Sequence, residues 1–446
     1  MSAGGGGAAM AGTVDVDALV ARLEGGDWTL GVVGLGYVGL PLAMTAVRAG
    51  VGVVGFDVAA DRVAALNGGR SHVEDVADDE LAAAVAAGAR FTADETDLAA
   101  VDVIVIAVPS PLGRNRQPDM SYIEAAAAAV SRVARPGQLI SLESTTYPGT
   151  TEEHLVPAVA AAGLTLDEDV FVAFSPERID PGNTLQTHEI PKIVGGVSAV
   201  SSRVAAAAYG RLVQRVHVVG SARAAELTKL LENTYRSVNI ALVNELAQVA
   251  HAFDVDIWEV VEAAATKPFG FQAFYPGPGV GGHCIPLDPQ YLAWRARELR
   301  APTRFIDLAE DVNLHMPDYV VARVGEMLNA AGKALNGARV LGVGLAYKRN
   351  IADDRESPAR EVLDRLRRRG AVVGVHDPHV PAARLGADGS EVVTDLAGTE
   401  GWDVAVVLTD HDTVAYDVLA ARVPQVLDTR GVYRRNGSVP ANVTAL

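Results

Sequence analysis

The stretch Trp28-Thr-Leu-Gly-Val-Val-Gly-Leu-Gly-Tyr-Val-Gly-Leu-Pro-Leu-Ala43 changes its hydrophobic period partway along. Its first residues form an apolar, β-branched run, the pattern of a buried strand. Gly34-x-Gly36-x-x-Gly39 follows, and Leu40–Ala49 has helical spacing, with Gly50 as a helix stop. Val51–Phe56 then reads as a second buried strand that ends at Asp57. A GxGxxG alone is a weak signal. It gains meaning between a strand and a helix, with a carboxylate roughly 20 positions further on.

Each part of that unit has a physical task. Gly34, Gly36 and Gly39 let the backbone, with Tyr37 and Val38 between them, approach a pyrophosphate, and the helix N-terminus offers N–H groups to it. Asp57 accepts hydrogen bonds from a ribose diol and repels a 2′-phosphate, which favours NAD over NADP. Arg62, just beyond, is placed to flank the adenosine. A tight strand–helix turn that binds nothing is the alternative at this level.

The same alternation continues. Strands are expected at Val101–Val108, Gln138–Leu142, Val170–Phe174 and Lys192–Gly195, with a helix at Tyr122–Val133. Strands alternating with helices predict an α/β fold with a parallel doubly wound sheet, whose post-strand loops line the ligand crevice. Three such loops stand out: Val108-Pro-Ser-Pro-Leu112, Glu143-Ser-Thr-Thr-Tyr-Pro148 and Ser175-Pro-Glu-Arg-Ile-Asp-Pro-Gly182. From Ala222 to about Ala265 the period is helical with few breakers, so one long helix is expected, on which Lys229 and Asn233 share a face. After a glycine-rich loop, Pro289–Leu299 returns to helix. A second, smaller sheet pattern follows: Ala338–Ala346, helix Ser357–Arg369, Ala371–His376, then strands at Trp402–Leu408 and Gln425–Leu427. It has only Gly342-Val-Gly344-Leu-Ala-Tyr-Lys348 in place of GxGxxG, so Asp377 reads as structural and a ligand other than NAD is expected there.

Bulk properties narrow the function. The chain has 446 residues, which implies more than one domain, and a 49% apolar fraction gives ample core. A net charge of −17 argues against a nucleic-acid or anionic-membrane surface, and any anionic substrate then requires a local cationic cluster. No apolar run is long enough for a membrane span, and MSAGGGGAAMAG reads as a flexible tail rather than a signal peptide, so a cytoplasmic location is expected. The histidines, among them His72, His188, His251, His283 and His315, show no metal-ligand spacing, and no metal is expected. The one cysteine excludes an intramolecular disulfide. It lies in Gly277-Pro-Gly-Val-Gly-Gly-His-Cys-Ile-Pro-Leu-Asp-Pro289, an odd setting for a packing residue. Ahead of an expected helix N-terminus, the macrodipole favours a thiolate at Cys284, and the glycines give room for a substrate to approach.

Four stretches together, Gly34–Ala43, Glu226–Asn233, Gly281–Asp288 and Tyr347–Ser357, resemble the UDP-glucose/GDP-mannose dehydrogenase family, in the family's order and over nearly the whole chain beyond the tail. The resemblance implies two Rossmann-like doubly wound domains joined by a long central helix that also serves a homodimer. The expected division is a tail at 1–13, an NAD-binding domain at 14–220, a central helical region with the cysteine loop at 221–325, and a nucleotide-sugar-binding domain at 326–446. It implies NAD-dependent oxidation of a nucleotide-sugar C6 hydroxyl to the carboxylate. Cys284 would trap the aldehyde as a thiohemiacetal and then carry a thioester. By the same resemblance Lys229 stabilises oxyanions and Asn233 orients substrate or water. Thr146 and Glu177 hold the water, with Glu177 as general base, and Asp288 assists the water or tunes Lys229. Pro109, Thr145 and Arg355 are implied at the cofactor. Arg178, Tyr275, Gly281 and Lys348 are implied at the substrate, with Lys229 and Asn233.

His283 before the cysteine, the Ser175–Gly182 loop, and Lys267-Pro-Phe-Gly-Phe-Gln-Ala-Phe-Tyr-Pro-Gly-Pro-Gly279 depart from the plainest UDP-glucose pattern. They look most like the branch that oxidises UDP-N-acetylhexosamines. A UDP- or dTDP-glucose 6-dehydrogenase of a secondary-metabolite pathway, a two-electron hydroxyacid dehydrogenase, and a non-catalytic NAD-binding protein remain as alternatives.

Overall fold

The computed structural model describes residues 14–73, 75–113, 116–178, 187–282 and 284–446. The chain divides into two compact units that meet in sequence at Leu230 and Leu231.

The first unit is built on an eight-stranded sheet. Its strands are β1 (Thr29–Val33), β2 (Gly52–Phe56), β3 (Arg90–Thr92), β4 (Val103–Ile106), β5 (Gln138–Leu142), β6 (Val170–Phe174), β7 (Lys192–Gly196) and β8 (Val216–Val218). They lie in the order β3-β2-β1-β4-β5-β6-β7-β8. All pairs are parallel except β6–β7, where Ala173 opposes Gly196 in antiparallel register. The sheet is apolar on both faces because helices cover both. Leu30, Val32, Val103 and Val105 enter one core, while Val33, Ile104 and Ile106 enter the other. Each such fully buried side chain contributes about 1.5–3 kcal/mol of transfer free energy.

The second unit repeats the plan with six strands, all parallel: β9 (Arg339–Val343), β10 (Val372–His376), β11 (Glu391–Val392), β12 (Val404–Val407), β13 (Val426–Asp428) and β14 (Val443–Ala445). Their order, β11-β10-β9-β12-β13-β14, places the reversal between β9 and β12, as it lies between β1 and β4 in the first sheet. Such a switch point opens the crevice at the carboxyl ends of the strands. The expected strands are all present. The short edge strands β3, β8, β11 and β14 were not foreseen, because two or three residues carry no readable period.

Two helix expectations need correction. The helix expected to run from Ala222 to about Ala265 stops at Ala252 and restarts as Ile257–Ala265. Asp254 takes a left-handed conformation (φ 56°), and Asp256 caps the new helix by accepting from the Trp258 N–H at 2.9 Å. Both acidic residues are good terminators, and the apolar residues around them hide that role. The helix expected at Pro289–Leu299 begins five residues earlier, at Cys284, and runs to Glu298. Pro286 falls at its third position, where no intrahelical N–H bond is required.

Candidate active site

The two sheets carry homologous turns with opposite fittings. In the first unit Gly34 has φ 93°, and a Cβ there would stand 2.6 Å from the Ala107 carbonyl oxygen beyond β4. A Cβ on Gly39 would come within 1.8 Å of the Gly34 oxygen, so that glycine serves helix–strand contact. At Gly36 a Cβ would meet nothing within 4 Å. The helix Gly39–Arg48 starts without a side-chain cap. Open space beside an uncapped helix start is what a pyrophosphate needs, and these residues fit NAD.

Asp57 is 5% exposed. It accepts from the Leu35 N–H at 3.0 Å, the Ala59 N–H at 2.9 Å and Arg62 at 2.8 Å. Burial alone would raise its pKa, but these donors and the guanidinium hold the carboxyl below its usual value. Arg62 therefore meets the Asp57 carboxylate itself. Tyr37 and Pro109 lie exposed beside this turn, with Val38 half-buried.

In the second unit Gly344 has φ 87°, and a Cβ would be 2.4 Å from the Thr409 oxygen beyond β12, the counterpart of Gly34 against Ala107. Asp377 likewise matches Asp57, accepting from the Leu345 N–H at 2.6 Å and the His379 N–H at 2.8 Å. Yet the position equivalent to Gly36 is Ala346, fully buried, with its carbonyl taken by the Thr409 hydroxyl at 2.5 Å. His411, fully buried, meets Asp377 at 3.0 Å through Nε2. Its Nδ1 accepts from the Asn350 N–H at 2.9 Å, which makes Nε2 the protonated nitrogen and the donor. Burial would raise the Asp377 pKa, but His411 and the backbone donors hold it far below the ordinary carboxylate range. A filled turn and a sealed carboxylate leave this sheet no dinucleotide cradle, in keeping with the structural reading of Asp377.

The loops after β5 and β6 carry the expected Thr145, Thr146, Glu177 and Arg178. Thr146 is buried, and its hydroxyl bonds to that of Thr150, which donates to the Tyr147 carbonyl at 2.8 Å. Thr145 is half-buried. The loop is anchored by Glu226, a buried carboxylate that sequence reasoning passed over. It accepts from the Gly149 N–H at 2.6 Å, the Thr151 N–H at 2.9 Å and the Thr151 hydroxyl at 2.7 Å. Glu226 and Lys229 lie three residues apart on the helix Ala222–Ala252, so that helix also holds the threonine loop.

Glu177 has an 8% exposed side chain. Its Oε1 accepts from the Arg178 N–H at 2.7 Å, and its Oε2 is 3.2 Å from Lys192. The Lys192 ammonium also bonds Glu143 at 2.8 Å, and Glu143 accepts from the Tyr209 hydroxyl at 2.6 Å. Burial and Glu143 push the Tyr209 phenol well up. Burial opposes the charge on Lys192, but the two carboxylates overcome it and raise its pKa. Burial raises Glu143, with Lys192 working against that. Tyr209 is thus a neutral donor and Lys192 a cation. The legible signal for this missed cluster was a lysine opening the apolar strand Lys192-Ile-Val-Gly-Gly196 and a glutamate closing Gln138–Leu142. The Arg178 guanidinium turns to the Pro191 carbonyl at 2.7 Å. Ile179, Asp180, Pro181 and Gly182 lie outside the described residues.

In the second unit Cys284 is exposed at the first position of its helix. Asp288 is the fifth residue of that helix. It is buried and accepts from the amide of Asn233, whose oxygen in turn accepts from Arg236. The structure thus joins two expected residues, Asn233 and Asp288, and adds Arg236. Lys229, one turn before Asn233, is 7% exposed.

The loop ahead of Cys284 uses its glycines for packing. A Cβ on Gly281 would sit 2.8 Å from both the Glu356 oxygen and the Tyr347 Cβ, and one on Gly282 (φ 80°) 2.8 Å from the Tyr347 ring. The Gly277 N–H donates to Asn244 at 3.0 Å, and Asn244 donates to Asn313 at 2.9 Å. These glycines accommodate protein, where sequence reasoning gave that room to substrate. Tyr275 is 46% exposed and stacks on Trp258 with centroids 5.2 Å apart. Lys348 is half-buried, and Arg355 forms a two-pronged pair with Asp353 at 2.8 and 2.7 Å. His283 lies outside the described residues. Among the described residues no three His, Cys, Asp or Glu side chains are grouped to hold a metal, and no helix is long and apolar enough to cross a membrane.

Three family models match in succession. The UDP-glucose/GDP-mannose dehydrogenase NAD binding domain matches residues 28–213, the central domain 223–315 and the UDP binding domain 341–435. An NDP-N-acetyl-D-galactosaminuronic acid dehydrogenase from Ralstonia nicotianae is 37% identical over 419 residues, covering 91% of this chain and 96% of the relative. A UDP-N-acetyl-D-glucosamine 6-dehydrogenase from Pseudomonas aeruginosa is 36% identical, covering 80% of this chain and 84% of the relative. The solved structure of a UDP-D-ManNAc dehydrogenase from Pyrococcus horikoshii matches with a TM-score of 0.85 at 32% identity, covering 94% of this chain and 98% of that one.

Proposed function

The chain belongs to the UDP-glucose/GDP-mannose dehydrogenase family, an NAD-dependent oxidoreductase family acting on nucleotide sugars, and from that premise we propose that it oxidises the C6 hydroxyl of a UDP-N-acetylhexosamine to the carboxylate. The supporting observation is Cys284, the chain's one thiol, exposed in the first turn of a helix where the backbone dipole favours the thiolate. NAD supplies the hydride acceptor for both oxidations. Loss of a hydride from C6 and a proton from its hydroxyl leaves an aldehyde. The Cys284 thiolate adds to C6, forming a C–S bond, and the former aldehyde oxygen takes up a proton to give the thiohemiacetal. Loss of a second hydride and the hydroxyl proton leaves a thioester. Water then adds, the C–S bond breaks and the thiolate is restored. Alcohol, two NAD⁺ and one water thus give carboxylate, two NADH and three protons.

Lys229 opposes the oxyanion charge, and the Asn233–Asp288 pair orients the reacting oxygen. Glu177 takes the proton of the hydrolytic water, which Thr146 holds. The N-acetylhexosamine assignment rests on the activities for which the relatives are named and on the sequence of the loops Ser175–Gly182 and Lys267–Gly279. A homodimer through the central helix is supported by the exposed apolar residues Leu231, Leu242, Leu246, Val249 and Phe253. A cytoplasmic location suits a chain with one thiol and a need for NAD.

The test is NADH counted against acid formed over UDP-N-acetylglucosamine, UDP-N-acetylmannosamine, UDP-N-acetylgalactosamine, UDP-glucose, dTDP-glucose and GDP-mannose. Two NADH per acid with an N-acetylated UDP sugar preferred is expected, and Cys284→Ala should form no acid. One NADH with free aldehyde from the wild type would overturn the mechanism.

A further inference from the structure

We propose that Lys192 is a positioning residue for Glu177, dividing one buried ammonium between Glu177 and Glu143 so that Glu177 is held as an oriented carboxylate. The inference rests on the reading of Glu177 as the base for thioester hydrolysis. Its own ground is the geometry of three charged side chains, each no more than 8% exposed, in one bonded row. Glu143 lies at 2.8 Å on one side of the ammonium and Glu177 at 3.2 Å on the other.

A lone buried ammonium would be costly, and so would two adjacent buried carboxylates. Here each carboxylate offsets the cation, while the cation separates the carboxylates. The row is fixed from behind. Tyr209 donates to Glu143 at 2.6 Å and stands 2.9 Å from the Ser141 hydroxyl. At the other end the Arg178 N–H fixes the second oxygen of Glu177. Among the described residues, the titratable and charged groups of this cluster are Glu143 beyond β5, Lys192 on β7, Tyr209 on the helix Ala199–Leu212, and Arg178 on the Glu177 loop itself.

Two carboxylates sharing one cation have a signed consequence. Removing the cation makes Glu177 easier to protonate. Removing the negative charge of Glu143 leaves the whole ammonium to Glu177 and makes it harder to protonate. The experiment is the pH profile of kcat for steady NADH release from the UDP sugar that the wild type oxidises, measured for K192R, K192Q, E143Q and E177Q. In K192Q the acid limb should move up by about one to three pH units, and in E143Q it should move down by a similar amount. K192R should stay near the wild type. E143Q and K192R preserve shape, so the sign test survives if K192Q does not fold. An E143Q acid limb that coincides with the wild type or moves up would overturn the inference.

E177Q separates this outcome from failure of the underlying reading. Accumulation of a covalent acyl-enzyme in E177Q, seen by intact mass, upholds Glu177 as the hydrolytic base. E177Q turnover equal to the wild type removes Glu177 from the chemistry and the inference with it.

Discussion

At the scale of single residues, buried carboxylates divide into those that await a ligand and those already satisfied. Asp377 has five protein donors: four backbone N–H groups and His411. Its pKa is depressed, so its stabilising contribution is present above the ordinary aspartate value and is lost as pH falls through the folded value. Asp377→Asn should cost about 2 kcal/mol at neutral pH, because an amide cannot accept from all these donors. The urea midpoint should fall less steeply between pH 5 and 3 in the variant than in the wild type. Equal slopes would show that Asp377 carries no such linkage. Glu226 makes the complementary case: a glutamine there turns an NH₂ toward a backbone N–H. Glu226→Gln should cost about 2 kcal/mol by denaturant titration, and kcat should fall through displacement of Thr146.

Turns and helices show glycine used in different ways. Gly36→Ala places a methyl where nothing stands within 4 Å, so the melting temperature should hold while NAD affinity, read by cofactor fluorescence, falls about tenfold or more. Gly281→Ala drives a methyl into Glu356 and Tyr347 and should destabilise the fold by about 1–3 kcal/mol. Reversal of this pattern would show the turn geometry to be wrong. The start and end of each glycine turn were legible from spacing alone. What each glycine faces was not, because Tyr347 lies far along the chain from Gly281 and Gly282.

For the molecule as a whole, charge and association are the measurable properties. With a net charge of −17, an anionic nucleotide sugar is repelled at long range. Raising salt from roughly 0.02 to 0.15 M should therefore raise kcat/KM, and a fall would show that local cations dominate the encounter. Leu242→Glu with Leu246→Glu should halve the mass measured by light scattering if the exposed face of the central helix joins two copies. An unchanged mass would place the interface elsewhere.

The sequence by itself determined the two α/β units, the glycine turn of the NAD-binding unit and the setting of the one thiol ahead of a helix. Those features are written in local period and spacing: a strand run, a glycine turn, a helix and a carboxylate follow one another within a few tens of residues. It also displayed the pseudo-repeat between Gly34–Asp57 and Gly344–Asp377, although only the structure shows why one turn is open and the other filled. The tertiary structure decided the Glu143–Lys192–Glu177 row, the seat of Asp288 on Asn233 and the anchoring of the threonine loop by Glu226. Each joins residues 15 to 77 positions apart, and no local pattern encodes their distance. A buried charge requires a partner, but the sequence does not say which distant strand or helix supplies it.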